Sequence, residues 1–122
     1  MTSGFHGART YKKILINPTS NGSAGYFTKE GALLRGLLEV VQRDAFLVHW
    51  LTTIAPRIVM QETLPDSIRA KIREFESSGI SIYVLDVTSI PIPSIYIVAI
   101  NAQADIPQVV LSAASAMTYE RA

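Results

Sequence analysis

The sequence predicts an α+β domain, two layers deep, with two main helices packed on one face of a mostly antiparallel or mixed sheet. Three observations carry this. A long stretch over 28–51 repeats its apolar residues at helical spacing, and a shorter one over 65–78 does the same. Two runs, SIYVLDV at 81–87 and SIYIVAIN at 94–101, are rich in β-branched and aromatic residues and almost continuously apolar, as central strands are.

Taken in order, residues 1–11 contain Gly4 and Gly7 and read as a flexible N-terminal arm, leaving 12–122 as a single domain. The aliphatic segment KKILIN contributes a strand near 13–16. Pro18 to Gly25 is rich in Pro, Thr, Ser, Asn and Gly, which is loop chemistry. Thr28 is placed to cap the first helix, with the Glu30 carboxylate in its first turn, where the helix dipole favours it. Pro56 ends any continuation, and 57–60 forms a short strand. In the second helix Ile68, Ile72 and Phe75 form the buried stripe, and Gly79 stands just past its end. The IPIP between the two long strands is a tight connection, and 108–111 adds a further strand. The tail SAASAMTYERA reads as the first turn of a helix.

Composition sets bounds on function. The 122 residues suit one domain with a modest core. Hydrophobic residues make up 48% and charged residues 17%, and the mean hydropathy is +0.26. So apolar a surface on so small a domain implies burial against another chain or another part of a larger protein, and a homodimer is the simplest form. The net charge of +1 provides no basic field, so nucleic acid is not an expected partner. The absence of cysteine excludes disulfides, thiolate metal sites and cysteine nucleophiles. The N-terminus lacks the apolar stretch of a secretory signal, and 80–100, the most apolar segment, is interrupted by Asp86, Pro91 and Pro93. A cytoplasmic location without membrane attachment is the expectation.

The first helix raises a question of its own. Leu34, Leu37, Leu38, Val41, Ala45 and Val48 fall on one side, widened by Leu33, Val40, Leu47 and Leu51. Arg35, Glu39, Gln42, Arg43 and His49 gather on the narrow remainder, with Phe46 and Trp50 between them. Arg35, Glu39 and Arg43 are spaced four apart, placing one carboxylate between two guanidinium groups. One reading is a solvated face with ion pairs of a few tenths of a kcal/mol each. The other is a site: a carboxylate and a carboxamide on one helix edge can both face a magnesium–phosphate group, and arginine can brace phosphate oxygens. Ser20, Ser23 and His49 offer a hydroxyl and an imidazole, but nothing in their spacing fixes a nucleophile–base pair, and His6 and His49 do not make a metal site.

The residues Thr19-Ser20-Asn21-Gly22, Ala24-Gly25, Glu30, Gly36-Leu37-Leu38-Glu39 and Gln42-Arg43-Asp44-Ala45-Phe46, followed downstream by Asp86-Val87-Thr88 and Ile90-Pro91, resemble the signature of the N-terminal part of YcaO domains. That resemblance implies an enzyme family that uses ATP and Mg2+ to phosphorylate a peptide-backbone amide. Its members form azolines or thioamides during ribosomal peptide maturation, including bacteriocin biosynthesis. Carried onto this chain, it implies Glu39 as a metal ligand, Gln42 in place of a second acidic residue, Arg43 as the following arginine, and the loop of Ser20, Asn21 and Gly22 near the nucleotide. A precursor peptide or a partner maturation protein would be the partner. Because only the N-terminal part of the pattern is matched, the expectation is a truncated YcaO-like domain, inactive alone; the alternative is a non-catalytic docking or scaffold module.

Overall fold

The computed structural model describes residues 20–103 and 105–122; the expected arm at 1–11 and strand near 13–16 lie outside them. Thr28 starts the first helix, α1 (Lys29–Thr52), as anticipated: its hydroxyl accepts the N–H of Gly31 at 3.1 Å, satisfying one of the orphan donors of the first turn. The helix closes at Thr53, which adopts a left-handed conformation (φ 56°), and the ring of His49 reaches past the end to the carbonyl of Ile54 at 2.9 Å. His49 therefore belongs to the helix terminus.

Beyond Pro56 come β1 (Arg57–Ile58), a single 3-10 turn (Gln61–Thr63), α2 (Asp66–Ser77), β2 (Ser81–Asp86), β3 (Ser94–Ile100) and β4 (Val109–Ser115). The four strands form one antiparallel sheet in the order β1-β2-β3-β4. The segment at 80–100 is thus two strands and a turn. No helix among the described residues is long and apolar enough to cross a membrane.

The α+β class and the antiparallel sheet are as expected; the arrangement of the helices is not. Pairing places Val84 opposite Ile97 and Leu85 opposite Tyr96, so side chains from 82, 84, 95 and 97 share one face and those from 85, 96 and 98 the other. α2 packs on the first face, where Ile68 and Ile72 meet Ile82, Val84 and Ile95. α1 packs on the second, where Ala45 and Phe46 meet Leu85, Val87, Tyr96 and Ala113. The sheet is sandwiched between the helices, with a core on each side.

A second correction concerns how far the buried side of α1 extends: Leu38, Val41, Ala45 and Val48 are covered as expected, but Leu34 and Leu37 are not, and the covered side reaches into the seam. The packed side holds Leu38, Val41, Gln42, Ala45, Phe46 and His49, all buried or half-buried. The leucine side faces outward, with exposures from 43% at Leu47 to 73% at Leu51. The small Ala45 lets the helix approach the sheet closely, and Phe46 stacks edge-on against Tyr96 with ring centroids 5.7 Å apart. Geometry adds to this: a helix of 24 residues is about 36 Å long, whereas strands of 7 residues span about 23 Å. α1 overhangs the strands it lies on.

The third correction is at the tail. The run at 112–115 continues β4 instead of starting a helix, and only a turn follows, closed by the N–H of Ala122 donating to the carbonyl of Thr118. Pairing wins over the weak local preference of Ser and Ala because it satisfies the backbone against β3. The hydroxyls of Ser94 and Ser115 then meet at 2.6 Å across the two strands.

Candidate functional site

Part of the polar seam of α1 borders a cleft. Arg35, Glu39 and Gln42 line a cleft of about 580 Å³ together with Tyr26, Leu34 and Leu38 on the helix side and Ala114, Ser115, Ala116, Met117 and Arg121 on the other. The helix supplies this convergence by periodicity: 35, 38, 39 and 42 return to one edge, and the end of β4 runs beside that edge.

Each wall has a local cause. Tyr26 precedes the cap, and its ring lies 4.4 Å from the guanidinium carbon of Arg35, a cation–π contact that fixes the head group over an aromatic plane. Glu39 and Gln42 are half-buried. The predicted ladder in which Glu39 sits between Arg35 and Arg43 is not formed: the ion pairs among the described residues are Arg57–Asp86 and Arg69–Asp66. Arg43 is exposed and lies outside the cleft. Its charge reaches instead toward Tyr96, whose phenol burial pushes above its usual range against the opposing pull of Arg43. The Tyr96 hydroxyl donates to the carbonyl of Gln42 at 3.5 Å, a long contact tying the seam to the sheet.

The loop of Ser20, Asn21 and Gly22 approaches α1 from the other flank. The N–H of Ser23 donates to the carbonyl of Ser20 at 3.1 Å, closing a turn with Gly22 at φ 76°, a conformation glycine adopts without penalty. The carbonyl of Gly22 occupies the space where a β-carbon at position 36 would stand. Gly36 is therefore the point at which loop and helix touch, one turn before Glu39 and Val40. On the helix circumference Glu39 stands between the loop flank and the cleft flank. Of the expected site residues, Glu39 and Gln42 thus join Arg35 at the cleft, Ser20, Asn21 and Gly22 form the turn on the other flank, and Arg43 belongs to neither.

The D-x-T motif is explained by packing. One Asp86 oxygen accepts the N–H of Thr88 at 3.0 Å and the other the guanidinium of Arg57 at 2.6 Å, while the Thr88 hydroxyl accepts the N–H of Ser94 at 3.0 Å. The motif ties the end of β2 to the start of β3. Burial pushes the Asp86 carboxyl up, but the hydrogen bonds from Thr88 and the charge of Arg57 outweigh it and hold the group below its ordinary range.

Among the described residues no group of three or more His, Cys, Asp or Glu side chains converges as a metal cage. The cleft's polar side chains supply one carboxylate, one carboxamide, two guanidinium groups and the hydroxyls of Tyr26 and Ser115. That set fits a phosphate and a single protein ligand to a magnesium ion, since magnesium is commonly held by one or two carboxylates plus phosphate oxygens and water. Arg121, Tyr26 and the strand end were not legible as site residues. Arg121 lies 82 positions from Glu39, and only the register of β4 brings it near.

Comparison with known proteins adds three findings. A family model described as YcaO cyclodehydratase, ATP- and Mg2+-binding, matches residues 4–122. No curated protein matches the chain. Among solved structures, a heterocyclase in complex with substrate and cofactor superposes with a TM-score of 0.78 at 21% identity, covering 87% of this chain and 14% of that one. The heterocyclase TruD gives 0.77 at 22%, covering 85% and 15%. The E. coli microcin synthetase McbBCD complex with pro-MccB17 bound gives 0.68 at 15%, covering 86% and 28%. The chain thus spans about a seventh of the length of the two heterocyclase chains, and at these identities the likeness is one of fold.

Proposed function

The chain belongs to the YcaO cyclodehydratase family, and from that premise we propose that its α1 cleft and the adjoining turn are one half of a Mg–ATP site serving ATP-dependent modification of a peptide backbone amide. The observation that carries the reading is the convergence of Arg35, Glu39, Gln42 and Arg121 on one cleft. In this reading Glu39 is the magnesium ligand, and Arg35, held over Tyr26, braces phosphate oxygens. Gln42 presents its carboxamide to the same group, and Arg121 adds a second cation from the opposite wall. Arg43 acts from outside the cleft through its charge, and the turn of Ser20, Asn21 and Gly22 fixes the far side of the nucleotide. ATP supplies the phosphoryl group that activates the amide oxygen; this chain's residues bind and orient it.

Magnesium is commonly held by one or two carboxylates with phosphate oxygens and water, and Glu39 is the one carboxylate that lines this cleft. We therefore expect the chain alone to bind Mg–ATP weakly and to release no phosphate, the remaining ligands coming from further protein or from a partner maturation protein. The test is a titration of isotope-labelled protein with Mg–ATP, followed by amide shifts, beside a phosphate-release assay. The expected result is millimolar binding that perturbs residues 35–42 and is lost in Glu39→Ala and Arg35→Ala. Shifts absent from the seam, or unaffected by both substitutions, would remove the reading. Steady phosphate release would overturn the half-site.

A further inference from the structure

Ser94 is the one buried polar residue among the described residues, at 1% exposure. A buried hydroxyl keeps its proton bonded, and this one has two acceptors within reach. They are the carbonyl of Ile92 at 3.2 Å and the hydroxyl oxygen of Ser115 at 2.6 Å. The backbone of Ser94 is fixed on both sides. Its N–H donates to the Thr88 hydroxyl at 3.0 Å, and its carbonyl accepts the N–H of Val87. Pairing of β3 with β4 sets Ser115 directly opposite. Ser115 in turn lines the cleft with Arg35, Glu39, Gln42 and Arg121. Its hydroxyl thus stands between a buried partner and the open side of the site.

Counting protons shows what this pair can do. One hydrogen lies between the two oxygens, so one serine donates and the other accepts. If Ser115 donates, Ser94 turns its own proton to the carbonyl of Ile92, and Ser115 offers the cleft lone pairs alone. If Ser94 donates, the proton of Ser115 is left over for the cleft, and the Ile92 carbonyl gives up its hydroxyl donor. Both arrangements keep the buried Ser94 proton bonded, so little separates them and a charge in the cleft selects. An anion drawn in by Arg35 and Arg121 favours the second, because hydrogen bonds to ionised acceptors are roughly twice as strong as neutral ones.

We propose that Ser115 is an anion-binding residue of the cleft and that Ser94 is its positioning residue. When a phosphate-type oxyanion enters, Ser94 swings its proton from the carbonyl of Ile92 to Ser115, and Ser115 donates its own to an anion oxygen. Hydrogen bonds alone change, and both states hold the same number of protons. The relay runs from the cleft through the β3–β4 pair to Ile92, which does not line the cleft. Identifying the oxyanion as a phosphate of ATP rests on the half-site reading above; the relay itself does not.

The test uses the full chain, isotope-labelled, and two probes: inorganic pyrophosphate without magnesium, and Mg–ATP. The expected result with pyrophosphate is saturable binding with movement of the Ile92 carbonyl-carbon resonance, as that oxygen gives up the Ser94 proton. Ser115→Ala removes the donor and leaves Ser94 bonded to Ile92. It should weaken pyrophosphate binding about tenfold, the weight of one hydrogen bond to a charged group, and hold the Ile92 resonance still. The melting temperature without ligand should stay within about 2 °C of the unaltered chain's. Ser115→Thr keeps a hydroxyl and should restore the movement of Ile92. Absence of binding at millimolar pyrophosphate, binding that leaves Ile92 unmoved, or equal affinity in Ser115→Ala would overturn the proposal. The Ile92 resonance of the unaltered chain decides by itself if the alanine variant does not fold. Mg–ATP separates the relay from the half-site. If Mg–ATP perturbs residues 35–42 and needs Glu39 while Ile92 stays still under both probes, the relay fails and the half-site stands. If pyrophosphate moves Ile92 while Mg–ATP leaves residues 35–42 unperturbed, the half-site fails and the relay stands.

Discussion

Asp86 shows how a residue can carry a family's mark and still act as structure. Its carboxyl is held below the ordinary range in the folded chain by Thr88 and Arg57, against the upward push of burial. A folded-state value below the unfolded one means that the contribution to stability is present above the unfolded value, near pH 3.9, and disappears as pH falls through the folded one. Asp86→Asn should therefore cost about 1–2 kcal/mol at neutral pH, and urea melts should show that difference shrinking between about pH 5 and pH 2. A difference that stays constant down to pH 2 would mean that the charge contributes nothing. Gly36 gives a second prediction at this scale. A β-carbon there meets the backbone carbonyl of Gly22, which cannot swing away as a side chain could. Gly36→Ala should destabilise by about 1–3 kcal/mol despite its better helix propensity, and a thermal melt checks the sign.

At the scale of elements, strands and helix limits were legible because periodicity and caps are local. Thr28 and Pro56 bracket the first helix within a few residues, and SIYVLDV and SIYIVAIN announce their pairing by composition. What could not be read was which face met which. An apolar stripe says that a surface will be covered, without naming the cover: Ala45, on the expected apolar side, does meet the sheet, but Phe46 from the polar seam packs beside it while most of the leucines face outward. The seam residues were found because their spacing is local; Arg121 and the strand end were missed because β4 brings them in from far along the chain. The leucine face, Leu33, Leu37, Val40, Leu47 and Leu51, leads to a prediction. We expect it to pair with a second copy when no other protein covers it, so light scattering should show a concentration-dependent dimer. Leu37→Glu with Leu47→Glu should shift it to monomer, and each change should alter the thermal stability of the monomer by less than about 0.5 kcal/mol, as exposed positions do. A monomer at every concentration would assign that face to a different protein.

For the whole molecule, the decisive feature is that one sheet separates two unlike environments. On the α2 side Leu64, Ile68, Ile72 and Val84 form an apolar core that the tail closes with Ala122. On the α1 side a polar cleft lies within a few residues of the second core, and Ser94 and Ser115 mark where the packing turns polar. Arg35, Glu39 and Gln42 can therefore change without disturbing the α2 core, since substitutions that share no partner add independently; Arg121, which also lines the pocket over that core, is the exception. Gly22 and Gly36 extend that logic to inheritance. Their backbones touch with no side chain between them, but the constraint runs one way: a larger residue at 36 meets the carbonyl of Gly22, whereas at 22 the limits are the left-handed backbone and the Val40 side chain. A lineage that loses Gly36 loses the contact, and the turn that it anchors beside Glu39 is set loose whatever happens to the carboxylate itself.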